Sequence, residues 1–224
     1  MNAKKGLLCF DLDNTLIKSD DAHNFSYNAA LKEAGLKTWN PAKMKLIYGR
    51  PHFEVVRMLL RGRDGKLLQK VDELHGKYLV KKYNKKARAI KGAISALKIL
   101  KKSNRIAILS NCSHKTILCL LKGAGISRKL FDRVIGHDDV KMSKPYPDEI
   151  LRAEKLMKHA EVYMIGDTIY DVMAGKRAKV KTISVLTGNQ GRRQLASKNP
   201  DYIIKSVAEL PKLLRKISIK QKGL

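Results

Sequence analysis

The chain is poor in cysteine, in aromatic residues and in acid. Cys9, Cys112 and Cys119 are odd in number and lack metal-type spacing, so they read as reduced thiols acting as small hydrophobes. No apolar run approaches the roughly 20 residues needed to cross a membrane. The first hydrophobic strand starts within a few residues of Met1, which leaves no room for a signal peptide and makes the cytoplasm the expected location. Aromatic residues are only 6%, and no basic-aromatic stacking pattern or nucleic-acid motif is present.

Acid is scarce against base: 20 Asp and Glu face 47 Lys and Arg, a formal charge of +27. Residues 18–89 hold 17 basic and 7 acidic side chains, a net +10, and the other 152 residues carry +17, so the excess is spread along the chain. Such a charge steers phosphorylated substrates and suits a polyanion such as RNA. A basic bias across the source proteome would give the same composition. Nucleic acid is thus a possible partner but not the favoured one.

What is present suits a soluble globular protein: 44% hydrophobic and 30% charged residues over 224 positions, enough for one domain carrying an insertion. The apolar run Gly6-Leu7-Leu8-Cys9-Phe10 leads directly into Asp11-Leu12-Asp13-Asn14-Thr15. It reads as a buried strand with two carboxylates at its C-terminal end. Side chains two apart on a strand share a face, so Asp11 and Asp13 are expected to converge on one centre. Either a hard cation lies between them, or one attacks while the other handles protons.

From Ser19 the pattern turns helical, with Phe25, Ala29, Ala30, Leu31 and Ala34 as an apolar stripe ended by Gly35. Helices follow from Pro41 to about Tyr48, from Pro51 with Phe53, Val56, Met58, Leu59 and Leu60 inside, and from about Gly65 to Tyr83. Residues 18–89 therefore read as an all-helical insert. From Gly92 strand and helix alternate regularly, with strands expected at 105–110, 134–135, 162–166, 181–186 and 202–204. Ser206 and Glu209 suit a capping box, and the basic tail beyond Leu213 is expected to fray. The alternation implies an α/β fold, a Rossmann-like doubly wound parallel sheet core with an inserted α-helical cap. The expected division is a core of residues 1–17 plus 90–224 and a cap of residues 18–89.

Each strand end leaves polar residues where ligands bind in open α/β sheets. After Asp11 and Asp13 come Ser110 and Asn111, before a helix whose N-terminus offers N–H groups to an anion. Lys144 lies between strand and helix, flanked by Pro145 and Pro147, and Gly166-Asp167-Thr168-Ile169-Tyr170-Asp171 adds two further acids. Four carboxylates, one lysine and a helix start suit Mg²⁺ together with a phosphoryl group.

These four motifs, in this order, resemble the haloacid dehalogenase superfamily of phosphotransferases, and the insert resembles its C1 cap, as in phosphoglycolate phosphatase-like and β-phosphoglucomutase-like members. The resemblance covers essentially the whole chain, with Asn14 in place of a glycine common in the first motif. It implies Asp11 as the nucleophile that forms an aspartyl-phosphate, and Asp13 as general acid and base with an elevated pKa. It implies Ser110, Asn111 and Lys144 as the phosphate-binding set, and Asp11, Asp13 (through its backbone carbonyl), Asp167 and Asp171 as the Mg²⁺ site. The acid at position 13 favours phosphate chemistry over dehalogenation. His23 matches a cap-entrance position that touches substrate, against a competing reading as a surface histidine. Arg50 and His52 lie on a loop that can face the site, where they would meet a second anionic group, or else solvent. Cys112 reads as filler. The expected activity is a Mg²⁺-dependent phosphatase acting on a small phosphorylated substrate, with a phosphomutase or a basic RNA-associated protein as alternatives.

Overall fold

The computed structural model describes residues 6–62, 65–158 and 161–222; the side chains of His52 and of residues 220–222 lie outside the described residues. Six parallel strands form the central sheet: β1 (Gly6–Phe10), β4 (Asn104–Ser110), β5 (Arg133–Gly136), β6 (Val162–Gly166), β7 (Lys181–Val185) and β8 (Tyr202–Ile204). Their order is β5-β4-β1-β6-β7-β8. β1 thus lies between β4 and β6, where the strand order reverses, and such a switch point opens a crevice beyond the strand ends. Every residue of β1 is buried, and its side chains alternate between two apolar layers.

Leu8 and Phe10 join one layer with Ala93, Leu97 and Leu100 of α5 (Ala93–Lys101), Ile117 and Leu120 of α6 (His114–Gly123) and Leu210 of α10 (Leu210–Lys222). Leu7 and Cys9 join the other, with Ile150 and Ala153 of α7 (Asp148–Met157) and Ala174 of α8 (Ile169–Arg177). A short helix α9 (Arg192–Ala196) bridges β7 and β8.

Between β1 and α5 the chain forms a separate apolar cluster built by α1 (Asp20–Glu33), α2 (Pro41–Lys45), α3 (His52–Leu59) and α4 (Gly65–Tyr78). Tyr27, Leu31, Met44, Val56, Leu59 and Val71 form its centre. One π-helical turn, Leu79–Tyr83, continues α4 and leads back to the sheet.

The insert is not all-helical as expected. β2 (Ile17–Lys18) pairs antiparallel with β3 (Arg88–Ala89), closing the two crossings between insert and sheet side by side. Two-residue strands are too short to leave a periodic trace in sequence. Three residues expected inside are exposed: Phe25 at 46%, Phe53 at 55% and Met58 at 38%. Phe25 instead stacks on Tyr83 with ring centroids 5.6 Å apart. In α3, Val55, Val56 and Leu59 form the inward stripe, and Phe53 and Met58 fall outside it. The basic tail expected to fray is helical to Lys222. The expected capping box is shifted: Ser206 Oγ accepts from Ala208 N, but Glu209 accepts from Lys205 N, one residue earlier than a box requires.

Candidate active site

The crevice beyond β1, β4 and β6 is lined by the core motifs from below and by Tyr27, Tyr48, Arg50 and His75 of the helical insert from above. At its floor one carboxylate oxygen from each of Asp11, Asp167 and Asp171 lies within 4.8 Å of the others, and all three side chains are buried. Lys144, 2% exposed, spends its three protons there: on Asp11 Oδ1 at 2.6 Å, Asp171 Oδ1 at 2.8 Å and the Leu109 carbonyl at 2.9 Å.

Local structure fixes each acid. Asp171 Oδ2 accepts from Thr168 N at 3.0 Å and Thr168 Oγ1 at 2.6 Å, closing the capping box of α8. Asp167 Oδ1 accepts from Thr15 Oγ1 at 3.1 Å. Opposite it, a Cβ on Gly188 would fall 1.8 Å from Asp167 Oδ2, so only glycine leaves the carboxylate its place. Burial, reinforced by Asp171 and Asp13, pushes Asp11 up to about 8 in spite of Lys144. Burial and the neighbouring acids push Asp167 the same way. Ionised together, three buried carboxylates would outnumber the one ammonium, which is why Asp11 and Asp167 hold their protons more tightly, and a bound cation would favour their ionised forms. An all-oxygen donor set of this size suits Mg²⁺ or a similar hard ion.

Asp13 lies apart from this cluster. β1 ends at Phe10, and Asp13 sits beyond it in a single bridge to Ile17, so the strand alternation that paired it with Asp11 no longer applies. Its Oδ1 faces His23 Nε2 at 3.2 Å and also accepts from Ser19 Oγ, and its Oδ2 accepts from Cys112 Sγ at 3.3 Å. Burial works to raise this carboxyl, but His23, then Ser19 and Cys112, hold it below its ordinary value. The elevated pKa expected of a general acid is therefore absent, because the facing His23, with Ser19 and Cys112, favours the ionised carboxylate.

Ser110 is buried at the end of β4, and its Oγ accepts from Cys112 N at 3.1 Å. Asn111 lines the crevice, but its amide donates to the Lys144 carbonyl at 3.2 Å, which shapes the lysine loop. The start of α6, expected to offer N–H groups to an anion, is already capped. Thr116 N donates to Ser113 Oγ and His114 N to Asp138 Oδ1.

Among the insert residues, His23 reaches the site, and its Nδ1 meets His75 Nε2 at 3.2 Å. Arg50 lines the crevice with its guanidinium 3.8 Å from Glu54. His52 opens α3, and its side chain lies outside the described residues. Gly49, at φ +83°, lets the loop approach so closely that a Cβ would lie 2.5 Å from Thr168 Cγ2. His75, Tyr27 and Gly188 escaped the sequence reading. His75 stands 52 residues beyond His23 in a helix without a motif, and only the fold stacks its ring on Tyr27, 3.7 Å between centroids. Cys112, read as filler, touches Asp13 directly.

A family model described as haloacid dehalogenase-like hydrolase matches residues 8–185. A protein named pyrophosphatase PpaX from Oceanobacillus iheyensis is 28% identical over 206 residues, covering 91% of this chain and 94% of that protein. A protein of the same name from Listeria innocua is 29% identical, covering 96% and 99%. Among solved structures, a haloacid dehalogenase-like family hydrolase from Streptococcus pneumoniae superposes with a TM-score of 0.81 at 20% identity, covering 96% of this chain and 100% of that one. One described as a predicted phosphoglycolate phosphatase from Haemophilus somnus gives 0.80 at 20% identity, with coverage of 96% and 100%. At that identity these structures show the shared fold.

Proposed function

The chain belongs to the haloacid dehalogenase-like hydrolase family, and on that footing we propose that it is a Mg²⁺-dependent phosphatase of small phosphorylated substrates, working through an aspartyl-phosphate on Asp11. The observation that carries this reading is the buried group Asp11, Asp167 and Asp171 with Lys144 hydrogen-bonded to two of its members.

Asp11, Asp167 and Asp171 would hold the ion, which supplies positive charge for the phosphoryl oxygens and favours the ionised form of its ligands. Asp11 Oδ attacks phosphorus as the bond to the leaving oxygen breaks. Asp13 gives that oxygen its proton, received through His23, and afterwards takes one from the water that cleaves the aspartyl-phosphate. Lys144 offsets negative charge beside Asp11 and orders the carboxylate for attack, and Ser110 completes the phosphate cradle. Residues 18–89 act as the cap, excluding water and contacting the substrate beyond the phosphate. The relatives named pyrophosphatase make pyrophosphate itself a candidate substrate.

The test is phosphate release from a panel of phosphoglycolate, sugar phosphates, nucleotides and pyrophosphate, with Mg²⁺ and with EDTA. Wild type should turn over at least one compound only with Mg²⁺, and Asp11→Asn should lose roughly a thousandfold or more while staying folded. Activity near wild type in that variant removes Asp11 as nucleophile. An isomer of the substrate in place of free phosphate would identify a mutase.

A further inference from the structure

Beside the all-oxygen group lies a second cluster of different chemistry. We propose that Asp13, His23 and Cys112 form a separate cation site, one for Zn²⁺ or a comparable borderline-soft ion, and that its occupation stops turnover.

Three kinds of donor meet there: a carboxylate, an imidazole nitrogen and a sulfur, their ligating atoms within 4.8 Å of one another. His23 Nε2 is 3.2 Å from Asp13 Oδ1, and Cys112 Sγ is 3.3 Å from Asp13 Oδ2. Ligands around a tetrahedral zinc stand roughly 3.2–3.8 Å apart, given bonds of about 2.0–2.3 Å, so the three donors, now within 4.8 Å of one another, would draw together around the ion. Metal-binding histidines are usually oriented through their other nitrogen, and here His23 Nδ1 is held by His75 Nε2 at 3.2 Å. The His75 ring is itself fixed by stacking on Tyr27, with 9° between planes.

The ion has a way in, since all three side chains line the crevice and the Asp13 side chain keeps 27% exposure. With three protein donors, a tetrahedral ion would take its fourth ligand from water or a substrate oxygen.

Ligand type separates the two sites. Sulfur and imidazole favour zinc, cobalt or copper, whereas Mg²⁺ prefers oxygen and keeps its waters, so magnesium selects Asp11, Asp167 and Asp171. On binding, the Cys112 S–H bond breaks, its proton leaves to solvent, and a sulfur–metal bond forms. His23 contributes its Nε2 lone pair and Asp13 a carboxylate oxygen. The ion then occupies the atoms through which Asp13 and His23 exchange a proton. That last consequence rests on the acid–base role proposed for Asp13; the binding does not.

The experiment titrates the full-length protein, saturated with Mg²⁺, with Co²⁺ as a spectroscopic probe and then displaces it with Zn²⁺. One equivalent of Co²⁺ should raise a cobalt–thiolate charge-transfer band that Zn²⁺ removes. Cys112→Ser should abolish the band, Cys119→Ser should keep it, and His23→Gln should weaken cobalt binding tenfold or more, each variant being checked for an unchanged circular dichroism spectrum. Zn²⁺ should inhibit phosphate release at the concentration that displaces cobalt, and excess Mg²⁺ should not relieve it. Absence of a thiolate band overturns the proposal, as does a band that survives Cys112→Ser. Inhibition that excess Mg²⁺ reverses, and that Cys112→Ser leaves unchanged, assigns zinc to the oxygen site and overturns it equally. Should no substrate be turned over, the phosphatase reading fails alone, and the band still decides the metal site.

Discussion

Lys144 Nζ donates to Asp11 Oδ1 at 2.6 Å where both side chains are nearly closed to water. An ammonium so placed is a structural counter-charge, because Asp11, Asp167 and Asp171, when ionised, would otherwise repel one another in a buried space. Lys144→Met should therefore do two things. It should abolish phosphate release, and in EDTA it should destabilise the fold by about 3 kcal/mol, the scale for breaking a buried pair. Added Mg²⁺ should restore part of that loss, since a cation bound only by the native state stabilises it by mass action. Urea unfolding of variant and wild type with EDTA and with Mg²⁺ measures both effects. Equal stability in EDTA would show that the carboxylates are not held as ions.

The closeness of Gly188 to Asp167 gives a prediction that needs no change to any acid. A Cβ there would stand 1.8 Å from Asp167 Oδ2, far inside contact, so Gly188→Ala must turn the carboxylate or move the loop. Mg²⁺ affinity should drop by tenfold or more, the cost typical of misplacing a metal-site residue. At saturating Mg²⁺ the loss of activity should be partly recovered. Isothermal titration with Mg²⁺ tests this, and an unchanged affinity would take Asp167 out of the metal site.

Much of the floor of the site was legible because strand ends and acids coincide in the sequence. Asp11, Ser110 and Asp167 each end an apolar run or stand just beyond one, and a parallel sheet brings such ends together whatever its details, while Lys144 was legible from its place in the loop between a strand and a helix, beside Pro145 and Pro147. Asp171 was readable as the second acid of the run Gly166 to Asp171, and the structure adds that it closes the capping box of α8 from Thr168. What stayed hidden depends on contacts between distant segments. Asp13 leaves the strand geometry too early for alternation to place it, and His23 and His75 meet only because α1 packs along α4. Phe25 looked apolar and therefore internal, yet it is exposed on the insert, stacked against Tyr83.

Away from the crevice, Asp132 ties β4 to the segment before β5. Its carboxylate accepts from Ile106 N at 2.8 Å, Lys101 Nζ at 2.7 Å and Arg105 Nη1 at 2.8 Å. Burial works to raise this carboxyl, but these three donors bring it down to about 2. A depressed acid stabilises the fold above its unfolded pKa and loses that contribution as pH falls towards the folded value. Asp132→Asn should cost about 1–2 kcal/mol at pH 7, less than full conversion of the shift gives because Lys101 and Arg105 remain in solvent contact. About half of the difference should be gone at pH 3. Urea midpoints of the two proteins at pH 7, 5 and 3 report it, and a gap that does not narrow would mean that charge has no part in this link.

Glu149 behaves in the opposite sense. It is 0% exposed in α7, and neither carboxylate oxygen has a well-formed hydrogen bond among the described residues, the Lys144 backbone N–H giving it only weak support. Burial pushes it up to about 7 from an ordinary 4.5, with the nearby Lys144 charge offsetting only part of the effect. The native state therefore holds a proton that the unfolded chain has already lost between those values, and stability falls as pH rises through that window. An amide at this position cannot ionise, so Glu149→Gln should remove this slope. Whatever the cost of burying the amide, the stability of the variant relative to wild type should rise by about 2–3 kcal/mol between pH 4.5 and pH 8. Parallel unfolding curves across that range, taken in Mg²⁺ so that the neighbouring acids stay ligated, isolate the contribution of this carboxyl. A constant difference between the two proteins would mean that Glu149 keeps its charge in the fold, with Lys144 then serving three carboxylates instead of two.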